Sequence, residues 1–347
     1  MRRFDYSTTS KLLHNEETLR FLLCLREFKG KQVLLNAAKP AILTSLHEQA
    51  HFASTEASNR IEGIVTTKAR FKQILKEKAA PSTRSEKEIA GYRDVLALIH
   101  SQYEYIQTTP AVILQLHRDL LKYTSYSYGG SWKDTDNQIV AQRADGTAYV
   151  RFKPTPAIAT PDAVAELCET YRLATAKENS DPLLLAMRFV FDFVSIHPFN
   201  DGNGRMSRLL TVLLLEKCGY LVPRYISIEE IIGKHLNLYY ETLAESSTGW
   251  ETGNNNEAPF INFMLGILCC AYRDLFDCVE ASMRATSKAR RIAETFEYAL
   301  GKISKDDIRK RCPDISDSSI ERELKRLLDE GEIKKVGGGR TTAYIKI

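Results

Sequence analysis

Residues 181–220, DPLLLAMRFVFDFVSIHPFNDGNGRMSRLLTVLLLEKCGY, decide how this chain folds. From Pro182 to Ile196 the run is apolar nearly all round, as expected of a helix buried on every side. Beyond residue 204 apolar residues recur at helical spacing, so a second helix begins near Gly204 or Arg205. Between the two, HPFNDGNGR (197–205) brings together a histidine, an aspartate, two glycines around an asparagine, and an arginine. A tight loop at a helix N-terminus follows. There Gly202, Asn203 and Gly204 can turn their N–H groups toward one point, and the helix dipole adds positive potential, which makes an anion site that fits a phosphate. Arg205 and Arg208 are offset by one helical turn and can reach the same polyphosphate. Asp201 is placed to hold a divalent cation bridging phosphate oxygens, since one carboxylate with phosphates and waters is an ordinary Mg2+ arrangement. His197 is the nearby side chain that can take a proton near neutral pH. Together these groups describe phosphoryl or nucleotidyl transfer to a hydroxyl. A structural capping histidine beside a simple glycine turn accounts for each part singly but not for the combination.

The composition is that of a globular protein: 347 residues, 44% hydrophobic and 27% charged. A formal charge of +4 does not argue for nucleic acid or an acidic membrane surface, so any such partner must be argued locally. The seven cysteines are odd in number and lack a CxxC pair, which predicts buried thiols in a reducing compartment. The opening MRRFDYSTTSKLL lacks the apolar region of a signal peptide, and no run is read as approaching the ~20 apolar residues of a membrane span. The expectation is a cytoplasmic protein with no membrane partner.

Helical periodicity dominates the rest. LNAAKPAILTSLHEQAHFASTEASNRIEG (35–63) carries apolar or small residues every three or four positions and stops at a glycine. Further helices follow at 88–103, 111–123 and 160–174, and His117-Arg118-Asp119-Leu120 is read as ordinary helix. One hairpin interrupts them, with extended runs at 137–142 and 148–152 and an Asp145-Gly146 turn. Residues 247–259 read as a polar loop. The tail, 303–347, has a short helix, a turn at Pro313, a helix opened by Ser316, and two strands around Gly337-Gly338-Gly339. That order is the pattern of a winged helix-turn-helix. Its second helix mixes Asp317, Glu321, Glu323 and Asp329 with Arg322, Lys325 and Arg326, while Lys334, Lys335 and Arg340 sit on the wing. DNA contact and a protein-recognition scaffold both stay open.

HPFNDGNGRMSR (197–208) resembles the complete signature of the Fic (Fic/Doc) family, and the resemblance extends over most of the chain. It implies a mainly α fold: a helical core with one β-hairpin flap, plus here a small C-terminal winged-helix (α+β) domain. The expected domains are 1–95, with an inhibitory helix at about 41–63; a catalytic core, 96–290, with a flap at about 137–152; and a winged helix-turn-helix, 291–347. The implied activity is transfer of AMP from ATP to a protein hydroxyl. His197 would deprotonate the target Ser, Thr or Tyr, and Asp201 would hold Mg2+. Gly202, Asn203 and Gly204 would cradle the α- and β-phosphates, Arg205 would contact phosphate, Arg208 would hold the γ-phosphate, and Phe199 would anchor the loop. Tyr239 and Tyr240 match a position near the adenine, and read equally as core aromatics. The flap residues Gln138, Ile139 and Val140 would pair with an extended segment of a protein target. SNRIEG (58–63) resembles the family's inhibitory motif, in which Glu62, with Ser58, takes Arg208 away from the γ-phosphate. The alternatives are a DNA-binding regulator using the same core as a nucleotide sensor, or an enzyme that moves another group or removes AMP. A homo-oligomer stays open.

Overall fold

The central helix starts where the chain provides a cap: the Asp181 carboxylate accepts from the N–H groups of Leu183 and Leu184, and Pro182 fills the first turn. The computed structural model describes residues 2–38, 40–76, 79–142, 147–177, 180–297, 301–313, 315–338 and 342–346. In chain order its elements are α1 (Glu16–Ala38), α2 (Pro40–Ile61), α3 (Lys68–Lys76), α4 (Arg84–Gln102), α5 (Pro110–Leu121), β1 (Ile139–Gln142), β2 (Ala148–Phe152), α6 (Thr160–Thr175), α7 (Pro182–Ile196), α8 (Asn203–Lys217), α9 (Ile228–Lys234), α10 (Leu236–Ser247), α11 (Ala258–Glu297), β3 (Ile303–Ser304), α12 (Lys305–Arg311), α13 (Asp317–Asp329), β4 (Ile333–Val336) and β5 (Ala343–Lys346). The fold is mainly helical, as the sequence predicts. The chain divides into two compact units, Met1–Leu275 and Phe276–Ile347.

In the first unit α7 packs against α6 and α8, and α4 packs against α2, α5 and α8. Every residue of α7 except Pro182 and Val194 is buried, including Arg188, Asp192 and Ser195. Buried charges need partners, and the N-terminal segment supplies several. The Asp192 carboxylate accepts from Tyr6 Oη (3.0 Å) and from Trp250 Nε1 (2.8 Å). Arg188 pairs with Glu257 (2.7 Å) and donates to Thr9 Oγ1 (2.6 Å). Trp250 lies in the stretch read as a polar loop, which instead forms a 3-10 helix, Trp250–Thr252, with the indole buried.

α2 ends at Ile61, and Gly63 follows with φ +73°, so the glycine stop is where the periodicity places it. The first residues of the 35–63 run belong to α1, because Pro40 opens a new helix. α8 begins at Asn203, one residue before the expected start, because Gly202 takes a left-handed conformation (φ 85°) and turns the chain. β1 and β2 pair antiparallel from Ile139↔Phe152 to Gln142↔Ala148, with an irregularity after Ile139. The predicted Asp145-Gly146 turn lies outside the described residues. One expectation is corrected: Ala258–Glu280 of α11 is long and apolar enough to cross a membrane, at a mean hydropathy of 1.3, although 61% of that stretch is buried as in a core helix. The thiol expectation also changes, because Cys270 and Cys278 are exposed.

In the second unit β3, β5 and β4 form an antiparallel sheet in that order beside α12 and α13. Ile303, Ile308, Ile320, Leu324, Leu327, Ile333 and Tyr344 are among its core residues. β3 is a strand the sequence did not announce. The acids of α13 are largely paired: Asp317 with Arg309 (2.7 Å), Glu321 with Lys305 (2.6 Å) and Glu323 with Arg326 (2.7 Å). Arg340 and Gly339 lie outside the described residues.

α4 comes close to α5 at Gly91. A Cβ at Gly91 would stand 1.9 Å from the Leu120 carbonyl oxygen, whereas one at Gly30, exposed on α1, would meet nothing within 4 Å. Gly91→Ala is expected to destabilise by about 3 kcal/mol through overpacking, and Gly30→Ala to stabilise by about 0.5–1 kcal/mol. Urea unfolding midpoints check both, and the reverse order would contradict this packing.

Candidate functional site

The loop from Ile196 to Asn203 gathers the functional groups because its own side chains tie it down. Phe199 is fully buried and stacks on His117, with ring centroids 3.7 Å apart and planes 11° apart. Asn203 is buried, and its amide is spent on the loop: Oδ1 accepts from Phe199 N–H (2.8 Å) and Nδ2 donates to the Phe199 carbonyl (2.7 Å). Only its backbone is left to face an anion. His117 closes the other end. Gly130 N–H donates to His117 Nδ1 (3.1 Å), so the ring proton is on Nε2, which donates to the Asp201 carbonyl (3.0 Å).

His197 is the C-cap of α7, in the left-handed region with φ 53° and ψ 61°. Burial, with the charge of Lys133 adding to it, pushes its pKa down to about 4, so the imidazole is neutral at physiological pH and able to accept a proton. The Asp201 carboxylate is 41% exposed and accepts from Gly202 N–H (2.6 Å). Gly202 caps α8 with no side-chain bond to the helix, so the first-turn N–H groups lack a side-chain acceptor from the cap.

The anion facing that helix end is Glu62. Its Oε1 lies 2.8 Å from Arg208 Nη2, and a Cβ on Gly204 would stand only 2.1 Å from the same oxygen. The Arg208 side chain is 4% exposed, while that of Glu62 is 35% exposed. Ser58 completes the grip: Arg208 Nε donates to Ser58 Oγ (2.8 Å) and Nη2 to the Ser58 carbonyl (2.9 Å). Burial works against the Arg208 charge, yet the nearby Glu62 carboxylate leaves its pKa raised.

Arg205, one turn before Arg208 on α8, has different partners. It is buried with Nη1 2.8 Å from Glu88 Oε2, and its Nη2 is 3.8 Å from Asp201 Oδ1. Tyr239 is buried beside Arg208, in ring contact with Tyr240 (5.4 Å), and the Arg151 guanidinium of β2 lies over the Tyr240 ring at 5.8 Å. On the hairpin, Gln138 and Val140 are exposed and Ile139 is half-buried. A cleft of about 690 Å3 at the hairpin base is lined by Asp136, Asn137, Gln138, Lys153, Trp250 and Arg2 among others, beside the loop rather than on it.

Glu88, His117 and Lys133 were not singled out from the sequence as site residues. The first two carried a signal: Glu88 precedes Tyr92 by four, and His117 lies between Ile113 and Leu121 at the same spacing, so each puts a titratable group on an apolar helix stripe.

Residues 107–215 match the sequence model of the Fic/DOC family. The protein adenylyltransferase Fic of Drosophila grimshawi is 30% identical over 255 residues, covering 71% of this chain and 47% of that protein. That of Drosophila willistoni is 29% identical over 244 residues, 65% of this chain and 44% of that protein. The chain thus spans a little under half the length of these curated relatives. Among solved structures, a Fic family protein from Desulfovibrio desulfuricans is similar with a TM-score of 0.64 at 20% identity, covering 95% of both chains. A Fic domain containing signaling protein from Bacteroides thetaiotaomicron has a TM-score of 0.61 at 21% identity, covering 74% of this chain and 98% of that one.

His117 gives a prediction. Burial, with the nearby Arg205 charge adding to it, lowers its pKa from 6.5 to about 4. Below pH 6.5 the unfolded chain therefore binds a proton that the folded chain refuses, and stability falls with pH until about 4. His117→Gln keeps a donor and an acceptor but does not titrate, so it should reduce the stability lost between pH 7 and pH 5 by about 2 kcal/mol. Urea titrations at the two pH values check this, and an unchanged loss would contradict it.

Proposed function

The chain is a member of the Fic/DOC family through residues 107–215, and on that premise we propose that it is an Mg2+-dependent protein adenylyltransferase held in check by Glu62. It would move AMP from ATP to a Ser, Thr or Tyr hydroxyl of a protein target and of itself. The observation that carries this reading is a neutral histidine and an anion-seeking helix end brought to one loop, with a buried arginine beside them.

Each residue then has a part. His197 accepts the proton of the target hydroxyl as its oxygen attacks the α-phosphorus, the α–β phosphoanhydride bond breaks, and pyrophosphate leaves. The first turn of α8 binds phosphate oxygens through N–H groups and the helix dipole, with Gly202 and Gly204 allowing close approach. Arg208 holds the γ-phosphate and so aligns the α-phosphorus. The Asp201 carboxylate, half-exposed at the loop, fits a single protein ligand to Mg2+. When bound, the ion would neutralise charge on the phosphates. Arg205, paired with Glu88, would act from inside by holding Asp201 in place. Tyr239 and Tyr240 would flank the adenine, and the hairpin would align an extended target segment along its edge, with the exposed pair Val140↔Val150 offering apolar contact.

Glu62 occupies the place that this reading assigns to the γ-phosphate. A charge-assisted pair of this kind contributes about 1.5–3 kcal/mol, enough to reduce a productive pose by roughly tenfold to a hundredfold. The second unit, in which α12, α13 and a three-stranded sheet follow the end of α11, is proposed as a winged-helix recognition module for protein targets or DNA. A pure nucleotide sensor is the weaker reading, because binding alone does not need a base at His197. A cytoplasmic location is part of the proposal, on the ground that all seven cysteines are free thiols, as suits a reducing compartment.

With α-labelled ATP, Mg2+ and a lysate, wild type is expected to label itself slowly, and Glu62→Gly to do so about 10- to 100-fold faster. Arg208→Ala added to Glu62→Gly should return the rate to wild type or below, and His197→Ala should abolish labelling with ATP affinity nearly intact. γ-Labelled ATP should leave no label on the protein. A folded Glu62→Gly protein that is no faster than wild type would remove the brake, and transfer by His197→Ala would remove the base.

A further inference from the structure

His197 is the only described residue other than glycine with a positive φ. Such a conformation is disfavoured for a residue with a Cβ and persists only where its surroundings impose it. The surroundings here are specific. At the end of α7 the carbonyls have run out of helical partners and lie in a buried place. Four consecutive ones, from Ile196 to Phe199, are taken up by two residues just ahead of β1. Lys133 Nζ donates to the Ile196 carbonyl (3.1 Å) and Lys133 N–H to that of Pro198 (2.9 Å). Asn137 Nδ2 donates to the carbonyls of His197 (3.4 Å) and Phe199 (3.2 Å). The two are locked together, since Lys133 Nζ also donates to Asn137 Oδ1 (2.8 Å). Lys133 is 3% exposed, so its ammonium depends on these acceptors.

We propose that Lys133 and Asn137 are positioning residues that hold the backbone of His197 in its left-handed form, fix the imidazole at the reacting hydroxyl, and tie it to the hairpin. The role rests on the transfer reading above. Asn137 stands two residues before β1, so a target seated on the hairpin pulls on the same amide that holds His197. The charged groups facing His197 are Lys133 from the segment before β1, Glu62 after α2 and Asp201 in the loop, and Asp136 faces Lys133 in turn. Burial brings the Lys133 ammonium down to about 8, and its charge helps to keep the imidazole neutral.

The test uses the full chain in the Glu62→Gly background. Lys133→Met removes the ammonium at similar length, and Lys133→Arg keeps a charged donor. Three quantities are read: AMP transfer at saturating ATP, the Kd for ATP, and the His197 titration by NMR, assigned through His197→Ala. Lys133→Met is expected to lose about 10- to 100-fold in transfer with the ATP Kd changed less than about twofold, and the His197 titration should move up toward the ordinary histidine range. Lys133→Arg should restore most of both. Should Lys133→Met not fold, Asn137→Ala carries the test, with the same loss of transfer at unchanged ATP affinity. A folded Lys133→Met or Asn137→Ala protein with transfer within twofold of its parent, or a Lys133→Met protein with an unmoved His197 titration, would overturn the proposal. Absence of transfer in the Glu62→Gly parent would instead count against the function, while the NMR titration would still report on Lys133.

Discussion

A guanidinium buried in the wall of a helical core must be paired, and the pairing of Arg208 organises the site. Removing the partner of a buried charge costs about 3–5 kcal/mol, because the ion left behind is not solvated. Ser58 and Glu62 meet that need from the end of α2, which fixes α2 over the N-terminus of α8. The glycine at 204 follows from the same pairing, since any Cβ there would collide with the Glu62 carboxylate. Arg208 can give up Glu62 only to another anion. A polyphosphate in the loop supplies one in the proposed reaction, and the brake is then a competition between two anions for one cation.

Around that pair, three further buried charges are settled in the same way. Arg205 is held by Glu88, Asp192 by Tyr6 and Trp250, and Lys133 by backbone carbonyls and Asn137. None of these groups reaches bulk water. Two of them bear directly on the six residues between α7 and α8: Lys133, with Asn137, holds the carbonyls around His197, and Arg205 lies beside Asp201. A loop held this closely suits chemistry whose rate depends on alignment.

Local signals made the main elements legible. The apolar run of α7, the Asp181-Pro182 start, the stop at Gly63 and the Gly-Asn-Gly turn each depend on residues within a few positions of one another, and each is found close to where the sequence puts it. Glu62 and Arg208 are 146 positions apart, yet the motif resemblance named them as partners, and they are 2.8 Å apart. What stayed hidden depends on distant partners. Trp250 sits in a stretch that reads as polar loop, and its burial follows from Asp192, 58 positions away. The pairing of Arg205 with Glu88 joins two helices, so helical spacing says nothing of it. His117 looked like ordinary helix, and it is; its work is done by two hydrogen bonds to segments that periodicity cannot connect.

The central claim is that Glu62 and a γ-phosphate compete for Arg208, and nucleotide affinities test it without catalysis. Calorimetric titration of ADP and of ATP, each with Mg2+, into wild type and into Glu62→Gly isolates the contribution of the γ-phosphate. The account predicts that wild type binds the two nucleotides with Kd values within about twofold, because Arg208 is already occupied. It predicts that Glu62→Gly binds ATP about tenfold or more tightly than ADP, since only the third phosphate then forms a charge-assisted hydrogen bond with the freed guanidinium. An ATP preference of the same size in both proteins would contradict it.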